Sequence, residues 1–110
     1  MCIRDRVYVA ANGEVVVGCA ALISFGDGVY ELSKMAVSPH LRGRGLGRRL
    51  LLHAIAQARL LGATSLFLAS NTRLANAVHL YESVGFHHVP PASLPPNPYS
   101  RANVFMQMPL

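Results

Sequence analysis

The stretch S38-P-H-L-R-G-R-G-L-G-R-R-L-L-L52 decides the fold. It carries three glycines and four arginines and then runs directly into leucines. Glycines at 43, 45 and 47 rule out a strand and mark a turn. From Leu46 the spacing becomes helical: Leu46, Leu50, Leu51, Ala54, Ile55, Ala58 and Leu61 form one stripe, with Arg48, Arg49, His53 and Gln57 outside it. Gly62 stands where a helix is stopped. A glycine loop opening a helix brings backbone N–H groups close to a ligand at the positive end of the helix dipole, which suits an anion such as a diphosphate.

Working outward, the residues before the loop predict strands. Val7–Ala10 and Glu14–Phe25 are runs of β-branched and small apolar residues, broken at A-N-G-E and G-D-G, with glycine where hairpin turns need positive φ. Tyr30–Val37 completes an antiparallel meander that Pro39 ends. After the helix, T64-S-L-F-L-A-S70 is almost wholly apolar and suits a buried strand parallel to Tyr30–Val37, which makes the unit strand, glycine loop, helix, strand. A second helix is predicted over Thr72–Val84, capped by Asn71 or Thr72, with Leu74, Ala77, Val78, Tyr81 and Val84 on one side and Gly85 at its end. F-H-H-V, from Phe86, begins a short strand. Five of the seven prolines fall within residues 90–100, which predicts a loop, and Ala102–Leu110 predicts a last strand with Val104 and Met106 alternating with Phe105 and Gln107. The fold class is α/β, a mixed and mainly antiparallel sheet in one domain.

Composition narrows the function classes. With 52% hydrophobic residues in 110, the chain has the apolar material for a core. No apolar run reaches the roughly 18–20 residues of a membrane span, and M-C-I-R-D-R is charged where a signal peptide is apolar, so a cytoplasmic protein is expected. Cys2 and Cys19 lack metal-type spacing, and no carboxylate or cysteine flanks His87-His88 at ligand distance, so no metal is expected. Cys19 is expected in the core. The net charge of +5 is local, because Arg42, Arg44, Arg48 and Arg49 lie within eight positions. A Walker loop would end in Gly-Lys-Ser/Thr and a Rossmann loop would space its third glycine one place later, so neither is present.

Arg42-Gly43-Arg44-Gly45-Leu46-Gly47, preceded by E-L-S-K-M-A-V-S-P and followed by N-A-V-H-L-Y-E-S-V-G-F, resembles the loop and flanking segments of the GNAT N-acetyltransferases over Glu31 to Phe86. The resemblance implies acetyl-CoA as co-substrate and a primary amine, small molecule or peptide, as acceptor. It implies that Arg42, Gly43, Arg44, Gly45, Leu46 and Gly47, with Arg48 at the helix start, hold the pyrophosphate through main-chain N–H groups. It implies further that the strand before the loop splays from the strand after the helix, that Val37 meets the pantetheine arm, and that the Met35 N–H faces the thioester oxygen. Glu31 matches a general-base position, and period-2 alternation puts it on the same side of the strand as Met35. Its other reading is a residue that orients substrate or pairs with an arginine while water relays the proton.

Tyr81 matches the acid that protonates the departing thiolate, the two groups lying within roughly two pKa units of each other. A core tyrosine closing the second helix is the alternative. Asn71 and Asn76 are candidates for hydrogen bonds to the arm of the cofactor, although relatives carry asparagine where this chain has Leu74. The family begins with a further strand and two helices ahead of the meander, so apolar surface left uncovered there favours a homodimer. With no convincing nucleophile, transfer is expected to be direct, in a ternary complex. Two other readings stay open: a non-catalytic acyl-CoA-binding module, and a basic nucleic-acid-binding domain, the latter disfavoured because no aromatic residue interleaves with the arginines.

Overall fold

A computed structural model of the chain describes residues 6–12, 15–38, 45–95 and 102–110. The predicted turn residues Gly13 and Glu14, Pro39, the loop residues Arg42, Gly43 and Arg44, and residues 96–101 of the proline-rich loop lie outside them. The elements are β1 (Arg6–Asn12), β2 (Val15–Ser24), β3 (Val29–Val37), α1 (Leu46–Leu60), β4 (Ser65–Ser70), α2 (Ala75–Val84), β5 (His87–His88) and β6 (Val104–Pro109). They form one six-stranded sheet in the order β1-β2-β3-β4-β6-β5. Only β3 and β4 pair in parallel; every other neighbouring pair is antiparallel.

Alternation sorts the sheet into two faces. Ala20 and Leu22 of β2, Leu32 of β3, Leu66 and Leu68 of β4, and Met106 and Met108 of β6 share one core with α1. The predicted stripe of α1 is the buried one, Leu50, Leu51, Ala54, Ile55 and Ala58. Burying Leu50, Leu51 and Ile55 contributes about 1.5–3 kcal/mol each, and the two alanines less. On β4 both faces are covered, with Leu66, Phe67 and Leu68 all buried, as expected of a central strand.

Both helices end in the same way. Past α1, Gly62 takes φ +86° and donates to Arg59 O, while the Ala63 N–H reaches Ala58 O. Past α2, Gly85 takes φ +117° and donates to Glu82 O, while the Phe86 N–H reaches Tyr81 O. These paired bonds satisfy the last carbonyls of a helix and need a residue that tolerates the left-handed conformation. At α2 the closure also packs the Phe86 ring edge-on to Tyr81, with centroids 5.9 Å apart.

Three expectations change. The second helix does not run unbroken from Thr72: a 3-10 turn spans Thr72–Leu74, Leu74 leaves helical geometry at φ −99°, ψ 51°, and the α-helix starts at Ala75. Leu74 consequently falls off the buried stripe and is 57% exposed. The proline-rich segment contains a 3-10 turn at Pro91–Ser93, where proline fits the first helical positions. Cys19 is half-buried, because it alternates onto the face opposite the core residues Ala20 and Leu22.

Candidate active site

The site begins where β3 and β4 part. Their parallel ladder holds only Val29–Ser65, Tyr30–Leu66 and Glu31–Phe67. Beyond it β3 continues to Val37 beside β2, and β4 continues to Ser70 beside β6. The strands diverge, and a cleft of about 330 Å³ lies between them. Glu31, Ser33 and Met35 line it from β3, and Leu68, Ala69 and Ser70 from β4. Asn71, Leu74, Tyr81 and Ala102 complete its walls.

Register shows how β3 builds its wall. Ile23 pairs with Glu31 and Ala21 with Ser33, both on the face away from the core; Leu22 pairs with the core residue Leu32. Then Cys19 pairs with Ala36 and Gly18 with Val37, so Lys34 and Met35 together stand opposite Ala20 alone. This extra residue is a β-bulge, and it reverses the alternation of the rest of the strand. Glu31 and Met35 therefore lie on opposite faces, which corrects the period-2 expectation. The Met35 side chain packs with the core side, and a methyl built on Gly47 would sit 3.8 Å from Met35 Cε, 3.7 Å from Val37 Cγ2 and 3.5 Å from Leu80 Cδ2. The start of α1 is thus seated against the end of β3 and against α2.

Gly45 caps α1 with φ +77°, a conformation that disfavours other residues. It offers no side-chain cap, and the first turn holds no acidic residue. Arg49 N–H donates to Gly45 O, so the N–H groups of Leu46, Gly47 and Arg48 precede the first helical hydrogen bond. The Arg48 guanidinium donates to Ser83 Oγ at 3.0 Å, and that hydroxyl donates to Leu80 O at 2.7 Å. Arg48 thereby ties α1 to α2.

At the other wall, Asn71 Oδ1 accepts from the Arg73 N–H at 2.9 Å, and Asn103 Oδ1 accepts from the Thr72 N–H at 2.9 Å. Asn71 is both cap and cleft residue. Asn76 is exposed on α2 and is no part of the cleft lining, unlike Asn71.

Two ionisable groups in the cleft are buried. Glu31 is 8% exposed, and burial pushes its carboxyl above the usual carboxylate range. Among the described residues it has no salt-bridge partner; the ion pairs found there join Glu82 to His79 and His88 on the surface. Tyr81 is also 8% exposed, and burial pushes its phenol above its ordinary value, so it keeps its proton at neutral pH. An acidic residue that can take a proton and a phenol that can give one thus share a largely apolar cleft. Of the residues singled out from sequence, the structure brings Glu31, Met35, Asn71 and Tyr81 to this cleft, with Val37 and Gly47 packed behind it. Ser33, Leu68, Ser70 and Leu74 were not foreseen as lining it. Ser33 carried a signal, since it stands two residues from Glu31 on a strand.

Among the described residues no helix is long and apolar enough to cross a membrane, and no group of three His, Cys, Asp or Glu side chains converges.

Comparison with known proteins agrees with this geometry. The acetyltransferase (GNAT) domain family matches residues 4–88. The chain is 40% identical over 80 residues to the uncharacterized N-acetyltransferase YjgM of Escherichia coli (strain K12), covering 71% of this chain and 48% of that protein. It is 36% identical over 107 residues to the IAA acetyltransferase of Azospirillum brasilense, covering 96% of this chain and 68% of that protein. The chain thus spans about half to two thirds of the length of these relatives. Among solved structures, the N-acetylglutamate synthase of Neisseria gonorrhoeae, complexed with coenzyme A and N-acetyl-glutamate, superposes with a TM-score of 0.82 at 28% identity, covering 94% of this chain and 25% of that one. By its glycine loop, its mixed sheet and the parting of its two central strands, the chain belongs to the GNAT acetyltransferase family.

Proposed function

We propose that the chain transfers an acetyl group from acetyl-CoA to a primary amine, by direct attack in a ternary complex. The observation that carries this reading is the parting of β3 and β4 after Glu31–Phe67, which leaves two strand edges facing a cleft lined by Glu31, Met35 and Tyr81. A gap between strand edges fits an extended amide-bearing arm, because such an arm can take up main-chain hydrogen bonds as a strand would. The bare start of α1, with neither side-chain cap nor acidic residue, fits a phosphate group. The gonococcal relative holds coenzyme A and a product acetylated on an amine, which supports the same pairing here.

Acetyl-CoA supplies the activated acetyl group as a thioester. The N–H groups of Leu46, Gly47 and Arg48, with the Arg42–Arg44 segment outside the described residues, hold its phosphates. Val37 and Met35 guide the arm along the open edge of β3. The Met35 N–H donates to the thioester oxygen as negative charge grows there, the stage at which such a donor lowers the barrier. Glu31 removes the proton that keeps the amine from attacking, and its raised pKa brings it toward the range where a base works near neutrality. Tyr81 gives its proton to the departing sulfur.

The test is calorimetric titration of acetyl-CoA into the purified chain and into Gly45→Glu, with Gly45→Asn as a control that tolerates positive φ. Saturable binding to the natural chain and the Asn variant, abolished by Glu, is the expected result, followed by coenzyme A release across an amine panel. A folded chain that does not bind acetyl-CoA overturns the reading and reopens nucleic-acid binding. Binding without release from any amine selects a non-catalytic acyl-CoA-binding module.

A further inference from the structure

We infer that Ser33 and Glu31 together form the seat for the nitrogen of the acceptor, and that the acceptor is a primary amine carried on an apolar stem. This rests on the amine-acetylation reading above and narrows it to a substrate class. Ser33 is 7% exposed and lines the cleft beside Glu31. Its partner across β2 is Ala21, a methyl group that can neither donate nor accept, and on the side of β4 the strands have already parted. Among the described residues neither the Ser33 hydroxyl nor the Glu31 carboxyl meets a side-chain partner.

A buried polar group left in that state costs about 1–3 kcal/mol, so two of them side by side call for a guest that satisfies both. The guest's chemistry follows from theirs. An ionised carboxylate only accepts, a serine hydroxyl offers two lone pairs, and an ammonium only donates. Two residues of strand span about 6.7 Å, which leaves room for one nitrogen to meet both side chains. Once Glu31 has taken a proton, Ser33 Oγ still accepts one N–H of the neutral amine and so fixes where its lone pair points.

Beside Ser70, Asn71 and Tyr81, the rest of the lining is hydrocarbon: Leu32, Met35, Leu68, Ala69, Leu74 and Ala102. Leu74 is a large apolar side chain left 57% exposed on this lining, a surface that an apolar stem would cover. The polar seat and the apolar walls together describe an amphiphilic guest, and about 330 Å³ limits its buried part to a small one.

The experiment follows backbone amide shifts by NMR at pH 8 while n-butylamine, and separately ethanolamine, is titrated into the natural chain and into Ser33→Ala, Ser33→Val and Ser33→Thr. Val and Thr share a shape and differ in the hydroxyl, so their comparison isolates it. Expected is butylamine binding at the β3 amides, weakened about tenfold in Ala and Val and kept within about threefold in Thr, with ethanolamine the weaker ligand throughout. The melting temperature of Ser33→Ala should not fall, since no protein partner loses a bond. Equal affinity of the Val and Thr variants, a destabilised Ala variant, no shift at β3 in the natural chain, or ethanolamine binding as tightly as butylamine would each overturn the inference. Acetyl-CoA titrated into the same variants separates the two readings. If it fails to bind anywhere while butylamine behaves as expected, the transferase reading falls and the amine seat stands.

Discussion

The two halves of the β3–β4 seam have the same strands and opposite roles. In the first half, Val29–Glu31 lies in register with Ser65–Phe67, and apart from Glu31, which marks the boundary and faces the cleft, the pairing carries core: Leu66 is fully buried and Tyr30 packs against the same cluster. In the second half the strands turn to their outer partners, and the gap is lined by the polar Ser33 and Ser70 together with Met35 and with Tyr81 of α2, which also touch the core. Backbone pairing in the closed half makes the fold; its absence in the open half makes the cleft. A substitution in one half should therefore cost stability and in the other half activity, with little exchange between the two.

The largest expected effect breaks the closed half. Leu66→Ala leaves a cavity in a site with no exposure and should lower stability by about 2–5 kcal/mol, read from urea denaturation. A loss under about 1 kcal/mol would mean that the seam is looser than its register indicates. Next, Tyr81→Phe sharpens the contrast from the open side. The phenol has no side-chain partner among the described residues and its ring keeps the Phe86 contact, so stability should stay within about 0.5 kcal/mol. The turnover rate should fall about 10²-fold, the low end for a lost general acid, measured by coenzyme A release at saturating substrates. Tyr81 is part of the buried core cluster, and equal losses in stability and rate would leave it with that packing role alone.

The smallest effect is on pH dependence. Burial raises the Glu31 pKa above its unfolded value, so the folded protein keeps a proton that the unfolded chain has already released. The contribution to stability is full below the unfolded pKa, declines as pH rises from there through the folded pKa, and is absent above it. Glu31→Gln has no such proton, so its stability should be flatter across that window and its margin over the natural chain greatest above it. Thermal melts at a series of pH values measure this, and a natural chain that gains stability across the window would contradict the burial of Glu31.

Much of the fold was legible because it is local. The stripe of α1 follows a period of 3.6, the turn between β2 and β3 takes positive φ at Gly26 and Gly28, and the alternation of β6 from Val104 to Met108 appears directly in its burial. The candidate site was legible only in part. Pattern singled out Glu31, Met35 and Tyr81, which line the cleft, but the bulge at Lys34–Met35 is a register event between two strands, and no count along one strand reveals it. Leu74 was assigned to a helical stripe because its spacing fits, whereas the Asn71 cap closes a tighter turn first and swings it to the cleft. The spacing of Ser33 from Glu31 puts the two on one face of β3, but only the register shows that its neighbour across β2 is Ala21, which cannot bond with it.

The short ladder at Val29–Glu31 also has a mechanical meaning. Three residue pairs join a leaf made of β1, β2 and β3 to a leaf made of β4, β6 and β5, with α1 as the covalent strap across the spine. The sheet is shaped like an open book whose spine is backed by a shared core of Leu22, Leu32, Leu66 and Met106. Whatever lodges between the leaves is a bookmark that touches both pages at once.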